Sequence, residues 1–252
     1  SGRARVPQAS LEPSGFRFHV KPGEQALAEQ MRARGTPLAE LAFVTLGMVF
    51  HDPRAGGQRK AAFIRPTRRG RFRQRLLDGV HVDRWRACGE VWLDYRPDLH
   101  REPRFPELFA ANKVLCRRIL GRGAIRAMVD DEGCFFSDNV VGVVPYHAIA
   151  EAQSRTAKRV CTPARVSRSR EVHPHYLVAL LNSRLFTWYY QTHLGFGMHL
   201  YPAHLKQMPI VVASAEEQET LAALARRARA GGPAAAAIEA DIDARVDALY
   251  GL

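Results

Sequence analysis

The sequence predicts an α+β fold in which a central mixed or antiparallel sheet has flanking helices and a C-terminal α-hairpin. Short β-branched runs separated by glycine and polar turns occupy residues 113–144 and predict adjacent strands. An apolar segment with helical spacing begins at Pro174. Two amphipathic segments separated by Gly231, Gly232 and Pro233 predict the closing hairpin.

The composition indicates a folded protein with a polyanionic partner. The chain has 252 residues, of which 46% are hydrophobic, enough for one large domain or two small ones. Lys and Arg number 37 against 25 Asp and Glu, which gives a net charge of +12. A charge of this size favours nucleic acid. The alternative is a protein that is merely basic, or one subunit beside an acidic partner.

Cysteine usage and hydropathy indicate the compartment. Cys88, Cys116, Cys134 and Cys161 form no Cys-x-x-Cys pair, which predicts a reduced intracellular protein with buried thiols. The sequence shows no signal peptide and no apolar run long enough to span a bilayer. We therefore expect a cytoplasmic protein without a membrane partner.

The chain divides into three predicted parts. Residues 1–36 begin with a Pro-, Gly- and Ser-rich stretch and predict a linker or arm with a short helix. Residues 37–212 would form the main domain. Residues 213–252 predict a helical hairpin, with a capping box at Ser214 and Glu217, that packs on the domain or on a partner.

The main domain should contain several short strands and one long helix. The helix runs from Pro174 through Tyr189, and the glycines at 195 and 197 end it. Tyr189 and Tyr190 lie on this apolar helix, so we expect them in the core. The acidic residues 130–133 form a turn of the hairpin type. The strand signals fall at 60–64, 90–95, 113–119, 125–129, 134–136, 140–144 and 208–212.

Two basic stretches are candidates for contact with phosphates. Residues 65–75 hold six arginines together with Phe72. Residues 151–170 form a long polar, basic connection, which in a compact domain is functional or disordered. A solvated charged face is the alternative for both. The predicted phosphate contacts are Arg68, Arg69, Arg71, Arg73, Lys158, Arg159, Arg168 and Arg170.

Sequence motifs for catalysis or metal binding are absent. His173, His175, His193, His199 and His204 match no zinc spacing, and no cysteine pair accompanies them. There is no Gly-x-Ser-x-Gly elbow. The clustered carboxylates at 130–132 suit a solvated turn. We therefore predict no catalytic residue and no metal ligand.

Five short sequence blocks resemble the motifs of a known family and occur in the same order. Together they cover roughly residues 37 to 252. The chain resembles the specificity domain of TaqI-like DNA adenine methyltransferases and the recognition domains of type I restriction specificity subunits. The blocks are Leu-Leu-Asp-Gly-Val at 76–80 with Asp-Arg-Trp at 83–85; Pro-Glu-Leu-Phe at 106–109 with Lys-Val-Leu-Cys-Arg-Arg at 113–118; Phe-Ser-Asp-Asn-Val at 136–140; Leu-Asn-Ser at 181–183 through Pro-Ile at 209–210; and the helix at 242–252.

This resemblance implies a target recognition domain or subunit that binds double-stranded DNA in a prokaryotic restriction-modification or phage-defence system. The implied partner is an N6-adenine methyltransferase domain or subunit, with or without a nuclease. The chain has neither the family's glycine loop for S-adenosylmethionine nor an Asn-Pro-Pro-Tyr motif, which holds the flipped adenine. We therefore expect no cofactor on this chain, with S-adenosylmethionine on the missing methyltransferase domain.

The family places base readout on loops beside the sheet. Arginine suits guanine, since it can bind both acceptors on the major-groove edge. Adjacent strand residues face opposite ways, so at most one of Arg117 and Arg118 should face DNA. A basic interaction module that binds nucleic acid without sequence preference, or a partner protein, is the alternative, and an unseen enzyme site is a third. The predicted base readers are Arg117, Arg118, Arg122, Arg126, His199 and Lys206.

Overall fold

A computed structural model describes residues 22–50, 59–109, 112–121, 123–195 and 198–252 and confirms the α+β fold. The helices are α1 (Pro22–Arg34), α2 (Leu38–Leu41), α3 (Arg155–Val160), α4 (Pro163–Arg168), α5 (Pro174–Asn182), α6 (Arg184–Tyr189), α7 (Pro202–Leu205), α8 (Ala215–Ala230) and α9 (Ala235–Tyr250). The strands are β1 (Thr36–Pro37), β2 (Ala42–Leu46), β3 (Ile64–Arg65), β4 (Gln74–Leu77), β5 (Val91–Leu93), β6 (Lys113–Arg117), β7 (Ala127–Asp130), β8 (Phe135–Phe136), β9 (Val140–Pro145) and β10 (Pro209–Ile210).

The middle layer of the fold is an antiparallel sheet of four strands in the order β2-β9-β6-β7. Along β6, Val114 and Cys116 pack into a core shared with the helices, whereas Leu115 packs into a core shared with a second sheet. Since both faces are covered, the strands are nearly continuous apolar runs. This is why residues 113–117 and 140–144 gave the clearest strand signals.

Helices α5, α6, α8 and α9 form the outer layer on one face. Ile238, Ile242 and Val246 of α9 are buried in the same core as α5. The hydroxyl of Tyr250 donates to the carbonyl of Pro209 in β10 at 2.5 Å. The apolar stripe of the C-terminal hairpin is therefore covered by this chain's own core.

The other face packs against a second sheet with the strand order β3-β5-β4-β8, in which β4 and β8 are parallel. Gly142 in β9 allows this close packing. A Cβ at Gly142 would lie 2.4 Å from the ring of Phe136 in β8. The fold thus has a helical layer, a central sheet and a second sheet.

Four local predictions were wrong. Of the strand predicted at 60–64, Lys60–Ala62 forms a 3₁₀ helix and the strand begins only at Ile64. The turn at 130–133 is no hairpin, because β7 and β8 belong to different sheets. The long helix breaks at Ser183, whose hydroxyl accepts a hydrogen bond from Phe186 N and caps a new helix, α6. The strand at 208–212 is confined to Pro209–Ile210. Among the described residues, no helix has both the length and the hydrophobicity needed to cross a lipid bilayer.

Candidate nucleic-acid interface

The central sheet has two distinct ends. At one end, Arg117 closes β6 beside Val140, the first residue of β9. We call this the ribbon end. At the other, Lys113 begins β6 beside Asp130, the last residue of β7. We call this the groove end.

Two loops pair at the ribbon end and form a short two-stranded ribbon, residues 118–121 and 198–200. Ile119 and His199 are antiparallel bridge partners. Leu200 N donates to the carbonyl of Arg118 at 2.7 Å, and Leu120 N donates to that of Met198 at 2.8 Å. The first loop continues β6, and the second follows the π-helical turn Tyr190–Leu194. The ribbon therefore extends the sheet outward with a backbone fixed by hydrogen bonds.

Arg118 is held in a defined orientation at the root of this ribbon. Its Nη1 donates to the carbonyl of Asp138 at 3.0 Å. Its guanidinium lies over the ring of Tyr201, 5.9 Å from the centroid, within the range of a cation–π contact. Its buried Nε has no hydrogen-bond partner among the described residues. An arginine fixed on two sides can bind a ligand with little further loss of conformational freedom.

Arg117 and Arg126 lie side by side on the neighbouring strands. Arg117 N donates to the carbonyl of Arg126 at 2.9 Å, so the two side chains share a face. Arg126 forms an ion pair with Asp83 at 3.2 Å. Arg117 makes no side-chain hydrogen bond or ion pair with any residue that the structure describes. Of these two arginines, only Arg126 therefore has an acidic partner among the residues that the structure describes.

Buried hydrogen bonds fix the ribbon end to the helices. The Asn182 amide bridges β7: its Nδ2 donates to Ala127 O at 2.9 Å, and its Oδ1 accepts from Ala127 N at 2.8 Å. The Tyr190 hydroxyl donates to the carbonyl of His199 at 2.7 Å. Tyr189 and Tyr190 are both buried, as the sequence predicted. The family block Leu-Asn-Ser thus positions the strands that carry the arginines.

A polar network around Asp78 joins the second sheet to the ribbon end. The Asp78 carboxylate accepts from Ser137 and Asn139 and pairs with Lys60. Burial by itself would raise the pKa of Asp78, but the hydrogen bonds from Lys60 and Ser137 outweigh it and lower the pKa to about 2. Arg118 N donates to the carbonyl of Asn139 at 3.0 Å. A fixed charge network therefore supports the loop beneath Arg118.

Exposed apolar side chains at the ribbon end were missed by the sequence analysis. Ile119 is 44% exposed, Met198 59% and Tyr201 44%. Leu120 and Leu200 point inward and pack in or against the helical core. Hydropathy alone gave no signal, since an isoleucine at the end of an apolar strand suits a core position equally well.

The predicted arginine stretch lies around the second sheet. Arg65 and Arg71 lie over the ring of Phe72, at 4.8 and 5.5 Å, and Arg68 lies 5.5 Å from the ring of Trp92. Arg71 also pairs with the buried Asp94 at 3.0 Å. Residues 65–73 precede β4, whose Arg75 pairs with Glu132 in the turn that follows β7. The stretch is therefore nearer the groove end than the ribbon.

The second basic group lies beyond the groove end. Residues 151–170 contain α3 and α4, whose predicted phosphate contacts Lys158, Arg159 and Arg168 are exposed. Arg168 approaches Glu40 at 4.0 Å, and Arg165 pairs with the same carboxylate at 2.8 Å. The charge of α4 is thus partly neutralised.

An open groove of about 780 Å³ lies at the groove end, and Arg170 lines it. His147, His173 and His175 line it as well. Burial lowers the pKa of all three, that of His175 to about 4 with help from His173. The histidines are therefore neutral at pH 7. Within the described part of the chain, no three His, Cys, Asp or Glu side chains gather as metal ligands do.

The structure thus brings together four predicted base readers: Arg117, Arg118, Arg126 and His199. It places the predicted phosphate contacts away from them. Lys206 follows α7, its side chain is exposed, and its carbonyl accepts from Ala39 N beside α2. Arg122 lies outside the described residues.

Comparison with known families matches residues 74–210 to the TaqI-like C-terminal specificity domain. This match spans more than half of the chain and includes the ribbon, the arginines at its root and Asn182. The chain belongs to the TaqI-like C-terminal specificity domain family. Of the residues that the resemblance assigned to readout, all fall inside the matched range.

Solved structures with similar folds come from type I restriction-modification proteins. One, from a study of complex assembly and conformational transition of the type I R-M system, matches with 11% identity and a TM-score of 0.47 over 90% of this chain and 53% of that chain. The HsdS subunit from Thermoanaerobacter tengcongensis matches with 10% identity and a TM-score of 0.41 over 90% and 50%. This chain thus spans about half the length of those chains. No curated protein matches the sequence.

Proposed function

We propose that this chain is the sequence-specific, double-stranded DNA recognition domain or subunit of a prokaryotic restriction-modification adenine-N6 methyltransferase. The observation that carries the proposal is Arg118, fixed between the Asp138 carbonyl and the Tyr201 ring beside an exposed ribbon. A base reader must present donors in a fixed direction, because discrimination depends on geometry as well as charge. Membership of the specificity domain family supports the same function.

In this proposal the ribbon end faces the bases. Arg118 binds a guanine edge, and His199 contacts an adjacent base or its phosphate. Arg117 and Arg126 share the opposite face of the strands, so they contact flanking phosphates instead of the same base edges. A major groove admits a two-stranded β-ribbon, so the observed element has a suitable size. Arg117 has no acidic partner among the residues that the structure describes, whereas Arg126 would weaken its ion pair with Asp83 on binding. We therefore expect Arg118 to contribute most to discrimination and Arg126 least.

Phosphate contacts are proposed for the two basic groups beyond the ribbon: Arg68, Arg69, Arg71, Arg73, Lys158, Arg159, Arg168 and Arg170. About five strand residues separate the two ends of the sheet, a distance of about 16 Å. That distance equals about five base-pair steps along a duplex. A single duplex can therefore reach both the ribbon and these side chains.

The partner in this proposal is a methyltransferase domain or subunit in the cytoplasm, with or without a nuclease, and it carries S-adenosylmethionine. The chain has no Asn-Pro-Pro-Tyr motif, so base extraction and methyl transfer would belong to that partner. The length ratio supports a larger assembly, because this chain spans about half of the type I chains that it resembles.

Selection of random duplexes bound by the chain, at moderate and then at high salt, tests the proposal. Base readout predicts an enriched motif that survives the increase in salt, because base contacts release no counterions. Binding without a motif that collapses with salt would contradict it. That result would instead favour a basic module that binds nucleic acid without sequence preference.

A further inference from the structure

The ribbon end combines exposed apolar side chains with arginines, an arrangement that the charge argument alone does not explain. Seven large hydrophobic side chains are exposed among the described residues. Three of them, Ile119, Met198 and Tyr201, lie together at the ribbon end. Single exposed hydrophobic residues scattered over a protein surface are ordinary, whereas a cluster of them is not. A basic surface that only contacts solvent does not require exposed apolar side chains.

We propose that Ile119 and Met198 read the 5-methyl group of a thymine in the major groove, beside the guanine bound by Arg118. This inference rests on the proposed function and names one base class in its target. The thymine methyl is the only apolar group on the major-groove edges of the four bases, and apolar side chains are the ones that contact it.

The backbone of the ribbon presents Ile119 outward, and Met198 is 59% exposed at the end of the ribbon. Bridge partners on paired strands share a face, so Ile119 and His199 point the same way. Leu120 and Leu200 point to the opposite face and pack in or against the helical core. Met198 lies at the outer end of the pairing, where its carbonyl accepts from both Leu120 N and Gly121 N. Ile119 therefore cannot turn inward without breaking the ribbon.

The positive charge at the ribbon end favours DNA over an apolar protein surface as the partner that binds there. Arg117 and Arg126 lie at the root of the ribbon, and Arg118 stacks on Tyr201 at its edge. The nearby carboxylate of Asp83 already pairs with Arg126, and that of Asp78 is held by Lys60, Ser137 and Asn139. A protein surface that met these three arginines would need several acids, whereas the phosphates beside a thymine supply the charge directly.

The test uses the full chain and the duplex motif enriched by selection. Each thymine of the motif is replaced in turn by deoxyuridine, which lacks only the methyl group. One replacement should weaken binding about fourfold, the value expected for one apolar carbon removed from contact. Ile119→Ala and Met198→Ala should bind the thymine and deoxyuridine duplexes more equally than the wild-type chain does.

Leu99→Ala is the matched control. Leu99 has the size of Ile119 and the same 44% exposure, and it lies away from the ribbon in the turn before His100. This variant should keep the full preference for thymine. Thermal unfolding of all three variants checks that they are folded.

The outcomes separate this inference from the proposed function. A motif without thymine, or one in which deoxyuridine binds equally well at every position, overturns the methyl contact and leaves sequence recognition standing. An unchanged preference for thymine in both ribbon variants also overturns it. Selection that yields no motif overturns both.

Discussion

The two ends of the central sheet carry different kinds of positive charge. At the ribbon end, Arg117 and Arg118 form no ion pair with any described residue, and three apolar side chains are exposed beside them. At the groove end, several charges are compensated: Arg165 pairs with Glu40, Arg229 with Asp131, and the histidines are neutral at pH 7. Arg170 is the exception, since it forms no ion pair with a described residue.

The comparison shows that a net charge of +12 does not locate a binding surface. Compensated arginines add to the total while their local field is weak. An arginine that is oriented but has no ion-pair partner exerts a positive electrostatic field that a ligand can experience. The ribbon end is therefore the better candidate for reading DNA, although more basic residues lie elsewhere.

The largest effect is expected from Asn182, which clamps the ribbon end. Asn182→Ala leaves the N–H of Ala127 buried without a partner, whereas the Ala127 carbonyl keeps its hydrogen bond from Trp85 N, so we expect a loss of up to about 3 kcal/mol in the free energy of unfolding. It should also weaken recognition, because Arg126 directly precedes β7. Urea denaturation and binding to the enriched duplex measure the two effects.

Gln218 supplies the matched control at the groove end. Its amide donates to the carbonyls of Glu171 and Ala213 and accepts from His173 N, a similar buried clamp. Gln218→Ala should destabilise the fold without changing the preferred motif. If Asn182→Ala and Gln218→Ala altered the motif equally, the distinction between the two ends would be lost.

Arg118 is expected to carry the largest share of discrimination. Arg118→Ala should reduce the preference for one base pair by about 2 kcal/mol, and Arg118→Lys should not restore it, because an ammonium cannot bind two acceptors at once. Competition binding against single-base variants of the motif measures this. Full discrimination by Arg118→Ala would show that Arg118 only stabilises the loop at Asp138.

Arg168 and Arg170 should contribute to DNA binding independently of the base sequence. Replacing both Arg168 and Arg170 with alanine should weaken binding to all duplexes and flatten the slope of log K against log salt by about 0.9 for each lost phosphate contact. Binding assays over a salt series measure it. A loss confined to one base position would mean that these side chains read bases.

The groove should also make stability sensitive to acid. The folded-state pKa of His175 is about 4, below its unfolded value, so the stability that it contributes is present above about pH 6.5. It is lost as the pH falls towards 4, since only the unfolded chain takes up the proton. His175→Asn should reduce the slope of the free energy of unfolding against pH by up to about 1.4 kcal/mol per pH unit, the value that corresponds to the uptake of one proton. Urea titrations between pH 4 and 7 measure this slope, and an unchanged slope would contradict the assignment.

Local signals predicted much of the fold. The runs at 113–117 and 140–144 became strands because both of their faces are buried. Ser214 caps α8 as predicted, accepting from Glu217 N at 3.3 Å, and Gly251 ends α9 with a φ of 76°. Such features depend on neighbours within a few residues, so the sequence displays them directly.

Long-range features could not be predicted in the same way. In the ribbon, Ile119 pairs with His199, which is far away in the sequence. No local sequence pattern indicates this pairing. Trp85 adopts a φ of 73°, unusual for a bulky side chain, and is held by Ala127 O and the carboxylate of Glu239. Ser183 looked like an ordinary helical residue until its hydroxyl was seen to cap α6.

The most direct test of the account is amide hydrogen exchange with and without the enriched duplex. We predict slower exchange in peptides that cover residues 117–121 and 198–201, and no change in those that cover 172–175 and 215–226. Protection confined to the second pair of segments would contradict the account, because it would place DNA in the groove and leave the ribbon unoccupied.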